Sequence, residues 1–386
     1  MKSKTTNRTP SLGGIVLGLV GALLASGSTM ASAQLAPVTA AQLGKGTNVG
    51  NSLDAINNSR RYPWTTSQET YWGNPPLNQQ IFNGIAAAGF KSVRIPVSWF
   101  QYMDRNNTIQ PFWLARVKQV VDMARNAGLY VILNQHHHNG ELEPVNRNSK
   151  NGNAKLKALW TQVGNYFKNY DNHLLFAGTN EIMRSGDYGA PTAEYCNVQT
   201  SFNQTFVDAV RATGGNNASR TLVVQAFNTN TDYSIDQCGA KVPADTTTSR
   251  LMMEIHYYSP YNFALNDQSS IWQWGSIAVD PAVTETWANE AYVEAHFDKA
   301  KAAYADKGIP VILGEYCAIA KKEYDATLKY RDYWDKYITG SAIRHGFATY
   351  YWDAGYPTEN HSCGLFDRST GAGVTTSTIN AVITAQ

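Results

Sequence analysis

Two glutamates stand apart by their settings. Glu181 closes the run HLLFAGTNE directly after Asn180, and Glu315 lies within PVILGEYCA, each an isolated carboxylate in an otherwise apolar stretch. A carboxyl pair with one member protonated and one ionised can cut an acetal: the acid protonates the leaving oxygen while the anion attacks or directs water. Held about 5 Å apart the pair attacks directly and retains configuration, whereas a wider gap admits a water and inverts it. Other polar and aromatic side chains collect in similar places. Arg94 and Trp99 follow one apolar run, His136, His137 and His138 another, His256 and Tyr258 a third, and Trp352 and Asp353 a fourth. Arg94 and Tyr258 are the candidates to keep Glu315 ionised, by charge and by hydrogen bond. Glu181 has no adjacent cation in sequence and an apolar lead-in, which suits a proton donor.

Eight short β-rich runs carry these residues, at 47–53, 92–99, 130–137, 173–181, 221–230, 251–259, 310–318 and 348–355. Helical patterns separate most of them. Leu114, Val117, Val121 and Ala124 share one face before the Ala127-Gly128 stop, and similar stretches fill 78–88, 154–170, 193–213, 289–306 and 325–343. The segment after the fifth run is polar and aperiodic, so its helix is expected to be short or missing. Strands too apolar to have a solvated face argue for a parallel sheet covered by helices. A single closed (β/α)8 TIM barrel is the expected fold, with its active site at the C-terminal ends of the strands. An open doubly wound sheet is the competitor, but no GxGxxG turn follows the first run. In the barrel the polar strand ends converge, and strands four and seven face each other obliquely across the mouth.

Three consecutive histidines invite a metal. Consecutive strand residues alternate faces, so the sequence argues against one ion held by all three, and neither metal nor cofactor is expected. His136 is placed against a sugar hydroxyl, His137 either there or in the core, and Asn180 against the sugar 2-hydroxyl. Trp352 is read either as an apolar platform for a pyranose ring or as a core residue at the barrel mouth, with Trp72, Trp272 and Trp274 as further candidate platforms, each equally a loop-packing residue.

The chain has 386 residues, is 43% hydrophobic and 12% aromatic, and carries a net charge of +2. No basic stripe exists to release counterions from phosphate, so nucleic acid is not an expected partner. Lys2, Lys4 and Arg8 precede the apolar stretch Leu12 to Ala25 and the ASA of residues 31–33. That pattern predicts a secretory signal peptide over 1–33, a mature catalytic domain over 34–386, an extracellular location and no membrane association after cleavage. The apolar stretch is shorter than the roughly 20 residues a spanning helix needs. Cys196 and Cys238 follow neighbouring strands four and five, and Cys317 and Cys363 follow neighbouring strands seven and eight. Two disulfides are expected from that adjacency, with four buried thiols as the alternative. Sequons occur at Asn57, Asn106, Asn203, Asn217 and Asn360.

GTNVGNSLDA, GFKSVRIPVSW, YVILNQHHH, FAGTNEI, EIHYYSPYNFA, IPVILGEY and YYWDAG with GLFDR together resemble the signature segments of glycoside hydrolase family 5, from about Gly44 to Arg368. The resemblance implies a retaining endo-β-1,4-glucanase, with Glu181 as acid/base and Glu315 as nucleophile. Arg94, His136, Asn180, His256, Tyr258 and Trp352 match the remaining active-site positions of the family. Ile182 stands where members commonly carry proline, and His138 where an acidic residue is more usual. A monomer acting on β-glucan is expected, soluble or amorphous glucan being cut better than crystalline cellulose. Xyloglucanase, mixed-linkage glucanase and mannanase are alternatives on the same scaffold. A non-catalytic carbohydrate-binding protein is the alternative outside the enzymes, and would be expected to have lost one glutamate.

Overall fold

The structure is a computed structural model that describes residues 34–57 and 65–386. The segment read as a signal peptide, 1–33, lies outside the described residues. Chain order is α1 (Ala40–Leu43), β1 (Lys45–Asn48), α2 (Gln79–Ala87), β2 (Ser92–Ile95), α3 (Pro111–Asn126), β3 (Tyr130–Asn134), α4 (Asn146–Phe167), β4 (Leu174–Ala177), α5 (Ala193–Ala212) and β5 (Leu222–Gln225). It continues with β6 (Leu251–His256), the single turn α6 (Tyr261–Ala264), α7 (Glu290–Ala303), β7 (Val311–Tyr316), α8 (Lys329–Arg344), β8 (Ala348–Tyr351) and α9 (Thr376–Thr384). The strands are parallel and close into a barrel in sequence order, β1 pairing with β8 through Thr47 and Tyr351. Between β5 and β6 the chain forms only short turns, including the π-turn Tyr233–Gln237, as the polar aperiodic segment predicts.

Local chemistry sets the helix ends. Asn78, Thr192 and Asn289 cap α2, α5 and α7 by accepting from the backbone N–H three residues on, and Pro111 opens α3, where no N–H is needed. The sequence places the start of α4 at 154, eight residues late, because NRNSKNGN is poor in helix formers. Packing overrides propensity there. Gly152 lies so close to α5 that a Cβ would sit 2.9 Å from the Phe202 ring.

Strand alternation sorts side chains into two layers. Val93, Ile95, Val131, Leu133, Leu174, Phe176, Leu222 and Val224 face the helices in one core. Ile132, Leu175, Ala177, Val223, Met252, Ile312, Ala348 and Tyr350 fill the barrel interior, with Val38 and Leu43 closing its base. Each buried Val, Leu, Ile, Phe or Met among them contributes about 1.5–3 kcal/mol of transfer free energy. The same inward parity, carried up the barrel, delivers Arg94 from β2, His136 beyond β3, Glu254, His256 and Tyr258 along β6, and Trp352 beyond β8.

Glu315 breaks that parity. Ile312 points inward, so simple alternation gives the next inward place to Gly314 and turns Glu315 toward the helices. Register shifts on both sides of β7 pair His256 with Glu315 and swing the carboxylate into the barrel.

The expected disulfides are present: Cys196 joins Cys238, and Cys317 joins Cys363. They tie together the segments that follow β4 and β5, and those that follow β7 and β8. Among the sequons, Asn203 and Asn217 are buried, donating to the Gln225 and Gly164 carbonyls, and so are closed to modification in the folded chain.

Candidate active site

Arg94 organises the barrel mouth. Fully buried, it donates from Nη1 to Asn48 Oδ1 and to Glu315 Oε1, both at 2.9 Å, and from Nη2 to Asn180 Oδ1 at 2.6 Å. Its Nε stands 2.8 Å from Glu254 Oε1 in a close ionic contact. Because Asn180 accepts through Oδ1, its Nδ2 is left to donate toward the cleft. The second oxygen of Glu315 accepts from the Tyr258 hydroxyl at 3.0 Å. One oxygen each of Glu181 and Glu315 and a ring nitrogen of His256 lie within 4.8 Å of one another. That is the short spacing of a retaining pair, well under the roughly 6.5–9.5 Å of an inverting one, and it fits direct attack.

The two carboxyl groups differ in surroundings, though not as the sequence suggested. Burial pushes Glu315 up; His256 and Arg94 oppose it, Glu181 and Glu254 add to it, and the balance lies above the usual carboxylate range. Both contacts expected of Arg94 and Tyr258 are made, but desolvation outweighs them. Glu181 does have a cation beside it, contrary to the sequence reading, because His256 Nδ1 is 2.8 Å from its Oε1. Partial desolvation at the barrel mouth opposes ionisation of Glu181, yet the His256 hydrogen bond, the His256 charge and Arg94 bring it below the usual range. His256, despite its burial, is pushed up to about 9 by Glu315, Glu181 and Glu254. Imidazolium with carboxylate and imidazole with carboxylic acid contain the same number of protons. The His256–Glu181 pair therefore holds a transferable proton in its hydrogen bond up to that pH.

His136 is fixed as a neutral donor. Asn134 Oδ1 accepts from the Val97 amide, so its Nδ2 donates to His136 Nδ1 at 3.1 Å and leaves the His136 proton on Nε2, 4.0 Å from Glu315. Burial, with the charges of His137, Arg94 and His256, holds this imidazole well below its ordinary range. The His136 ring stacks on Trp352 at 5.5 Å and 11°. The Trp352 indole lies against Gly50, where a Cβ would meet it at 2.6 Å. His137 stands between His136 and Trp72, edge-on to both. Trp72, His136, His137, His138, Asn180, Glu181, Tyr258, Glu315 and Trp352 line one open cleft of about 520 Å³.

Two candidate platforms fail. Trp274 is fully buried, packed against Tyr333, Trp334 and Tyr337, with its indole N–H donating to the Ala288 carbonyl at 2.7 Å. It is a core residue and offers no face to a sugar. Trp272 packs on Tyr324 and Tyr330 and is not among the side chains that line the cleft. The alternation argument about the histidines also needs correction: β3 ends at Asn134, and beyond it His136 and His137 both come within 4.8 Å of Asp54. The oxygens of Asp54 accept from the Ser52 and Asn51 amides. His136 Nδ1 is taken by Asn134, so the cluster has its own hydrogen-bond partners.

The family model for cellulase, glycosyl hydrolase family 5, matches residues 50–357. The chain belongs to this family. It is 37% identical to endoglucanase A of Paenibacillus barcinonensis over 99% of both chains. It is 38% identical to a xyloglucan-specific endo-beta-1,4-glucanase of Bacteroides ovatus over 88% of this chain and 68% of that one. A family 5 xyloglucanase from Paenibacillus pabuli, solved with a ligand, superposes with a TM-score of 0.84 at 37% identity, covering 90% of this chain and 99% of that one. As a family 5 glycoside hydrolase the chain is an enzyme, and its carboxylate pair is where hydrolysis would take place. The sequence reading missed two members of this site. Asn48 orients Arg94 from β1, and Glu254 contacts both Arg94 and His256. Glu254, His256 and Tyr258 recur at intervals of two in a β-rich run, a signal that was available.

Proposed function

We propose that this family 5 hydrolase is a secreted endo-β-1,4-glucanase working by double displacement, with Glu315 as nucleophile and Glu181 as acid and then base. The approach of their oxygens to within 4.8 Å at the floor of an open cleft carries the reading. A β-glucan chain lies across the cleft with a pyranose ring on Trp352 and its 2-hydroxyl toward Asn180 Nδ2. The Glu181 side chain is 43% exposed in the free enzyme, so a bound sugar removes water from it. Desolvation disfavours the carboxylate, and the shared proton moves from His256 Nδ1 onto Glu181. Glu315 then attacks the anomeric carbon, the glycosidic C–O bond breaks, and Glu181 protonates the departing oxygen. Water enters, Glu181 takes its proton, and the oxygen displaces Glu315. The proton returns to the Glu181–His256 pair.

The relatives' names support both a general glucanase and a xyloglucan-specific one, and a substrate panel separates the two. Carboxymethylcellulose, mixed-linkage β-glucan and xyloglucan are expected to lose viscosity faster than reducing ends appear, giving ladders of oligosaccharides. Cleavage of xyloglucan alone would install the narrower reading. Cleavage of mannan alone, or release of a single small product from chain ends, would overturn the glucanase reading.

The pH profile of kcat/KM should be a bell. Its acid limb is loss of activity as pH falls through the raised pKa of Glu315, which converts the nucleophile to its acid. Its alkaline limb lies near the value of about 9 for His256, above which the pair no longer holds the proton that Glu181 must donate. An alkaline limb below pH 7 would contradict the stored proton.

A further inference from the structure

We propose that Glu254 is a positioning residue for both catalytic carboxyl groups, a buried anion in β6 that fixes Arg94 beneath the nucleophile and His256 behind the acid. The proposal rests on the roles given above to Glu181 and Glu315.

Glu254 is fully buried and makes two ionic contacts with one oxygen: Oε1 is 2.8 Å from Arg94 Nε and 3.2 Å from His256 Nε2. Its other oxygen accepts from Gln225 Nε2 at 2.7 Å, and Gln225 is itself held by the amide and hydroxyl of Thr179. The carboxylate therefore has a fixed place and cannot swing toward the substrate. A buried anion is costly unless both its oxygens have partners, and these do.

The neighbouring strand has been shaped to admit it. Gly314 directly precedes Glu315, and a Cβ there would sit 2.1 Å from Glu254 Oε1. The register shift that turns Glu315 inward occurs at the same place. One missing side chain thus leaves room for Glu254 and accompanies the turn of the nucleophile.

Two consequences follow from the geometry. Arg94, held at Nε, presents Nη1 to Glu315 and Nη2 to Asn180. His256, held at Nε2, keeps a proton there in either state, so only Nδ1 exchanges its proton with Glu181. Among the described residues the charged or titratable groups around His256 include Glu181 beyond β4, Glu254 within β6, Glu315 from β7, Arg94 from β2 and His136 beyond β3. Of these anions, only Glu254 is neither exposed to the cleft nor consumed by the reaction.

The test is Glu254→Gln, read first by NMR titration of His256 in the full chain with labelled histidine and second by the pH profile of kcat/KM. Loss of the anion is expected to lower the His256 titration by roughly 1 to 3 pH units. The alkaline limb should move with it, while activity on the acid side falls less. Gly314→Ala leaves every hydrogen-bonding group in the chain but pushes the Glu254 carboxylate aside, and should move both readouts in the same direction by less. It decides the matter if Glu254→Gln fails to fold. A folded variant of either kind in which His256 titrates as in the wild type would overturn the proposal, as would uniform loss of activity with the limb unmoved. The NMR readout needs no substrate, so it stands or falls separately from the assignment of Glu181 and Glu315.

Discussion

Glu315→Ala is expected to lose turnover of an activated aryl cellobioside on the order of 10⁶-fold, the scale on which removal of an enzyme nucleophile acts. Added azide should restore activity. The vacated space is bordered by Arg94 Nη1, which keeps Asn48 but has lost Glu315, and by the Tyr258 hydroxyl, which has lost its acceptor, so the pocket attracts a small anion. Azide bound there attacks from the face Glu315 used, in a single displacement, and the glycosyl azide has inverted configuration. Chromatography against both anomeric azides checks this. An azide product of retained configuration would exchange the roles of the two glutamates.

Glu181→Ala should behave differently. A polysaccharide leaving group needs a proton, and turnover on glucan should fall by roughly 10² to 10⁴, the usual worth of a general acid. With a leaving group that departs as a stable anion, the first step survives and the glycosyl-enzyme accumulates, because no base activates water. A burst of one leaving group per enzyme, visible by rapid mixing and by a mass increase on Glu315, is the expected result. Azide then attacks the intermediate from the opposite face and gives the retained product. His256 loses its partner at Nδ1 in this variant, so its titration should drop toward the ordinary imidazole range.

Much of this was legible in the chain because a parallel barrel has a simple grammar. Inward parity along β2, β6 and β8 takes Arg94, His256, Tyr258 and Trp352 to the same mouth, and the cysteines follow from which strands are neighbours. The strand runs are too long at their C-terminal ends, since His136, Asn180 and Glu181 lie just beyond the last ladder residues. Period alone could not place Glu315, because the register shift at Gly314 overrides it. Nor could it separate Trp72 from Trp274: both sit between strands, and only packing shows one on the cleft and the other in the core. Electrostatics were least legible. The cation beside Glu181 comes from a strand two away, and that desolvation of Glu315 outweighs its charged partners has no sequence signature. Glu254 was passed over because a carboxylate in mid-strand reads as a satisfied core group until its partners are seen.

Double displacement is tested most directly by the configuration of the first product. Wild-type enzyme acting on a soluble cello-oligosaccharide, followed by proton NMR before mutarotation has advanced, should show the β-anomer of the new reducing end first, with the α-anomer growing in later. Appearance of the α-anomer first would mean a water between the carboxylates, and would contradict both the nucleophile assigned here and the close approach of Glu181 and Glu315.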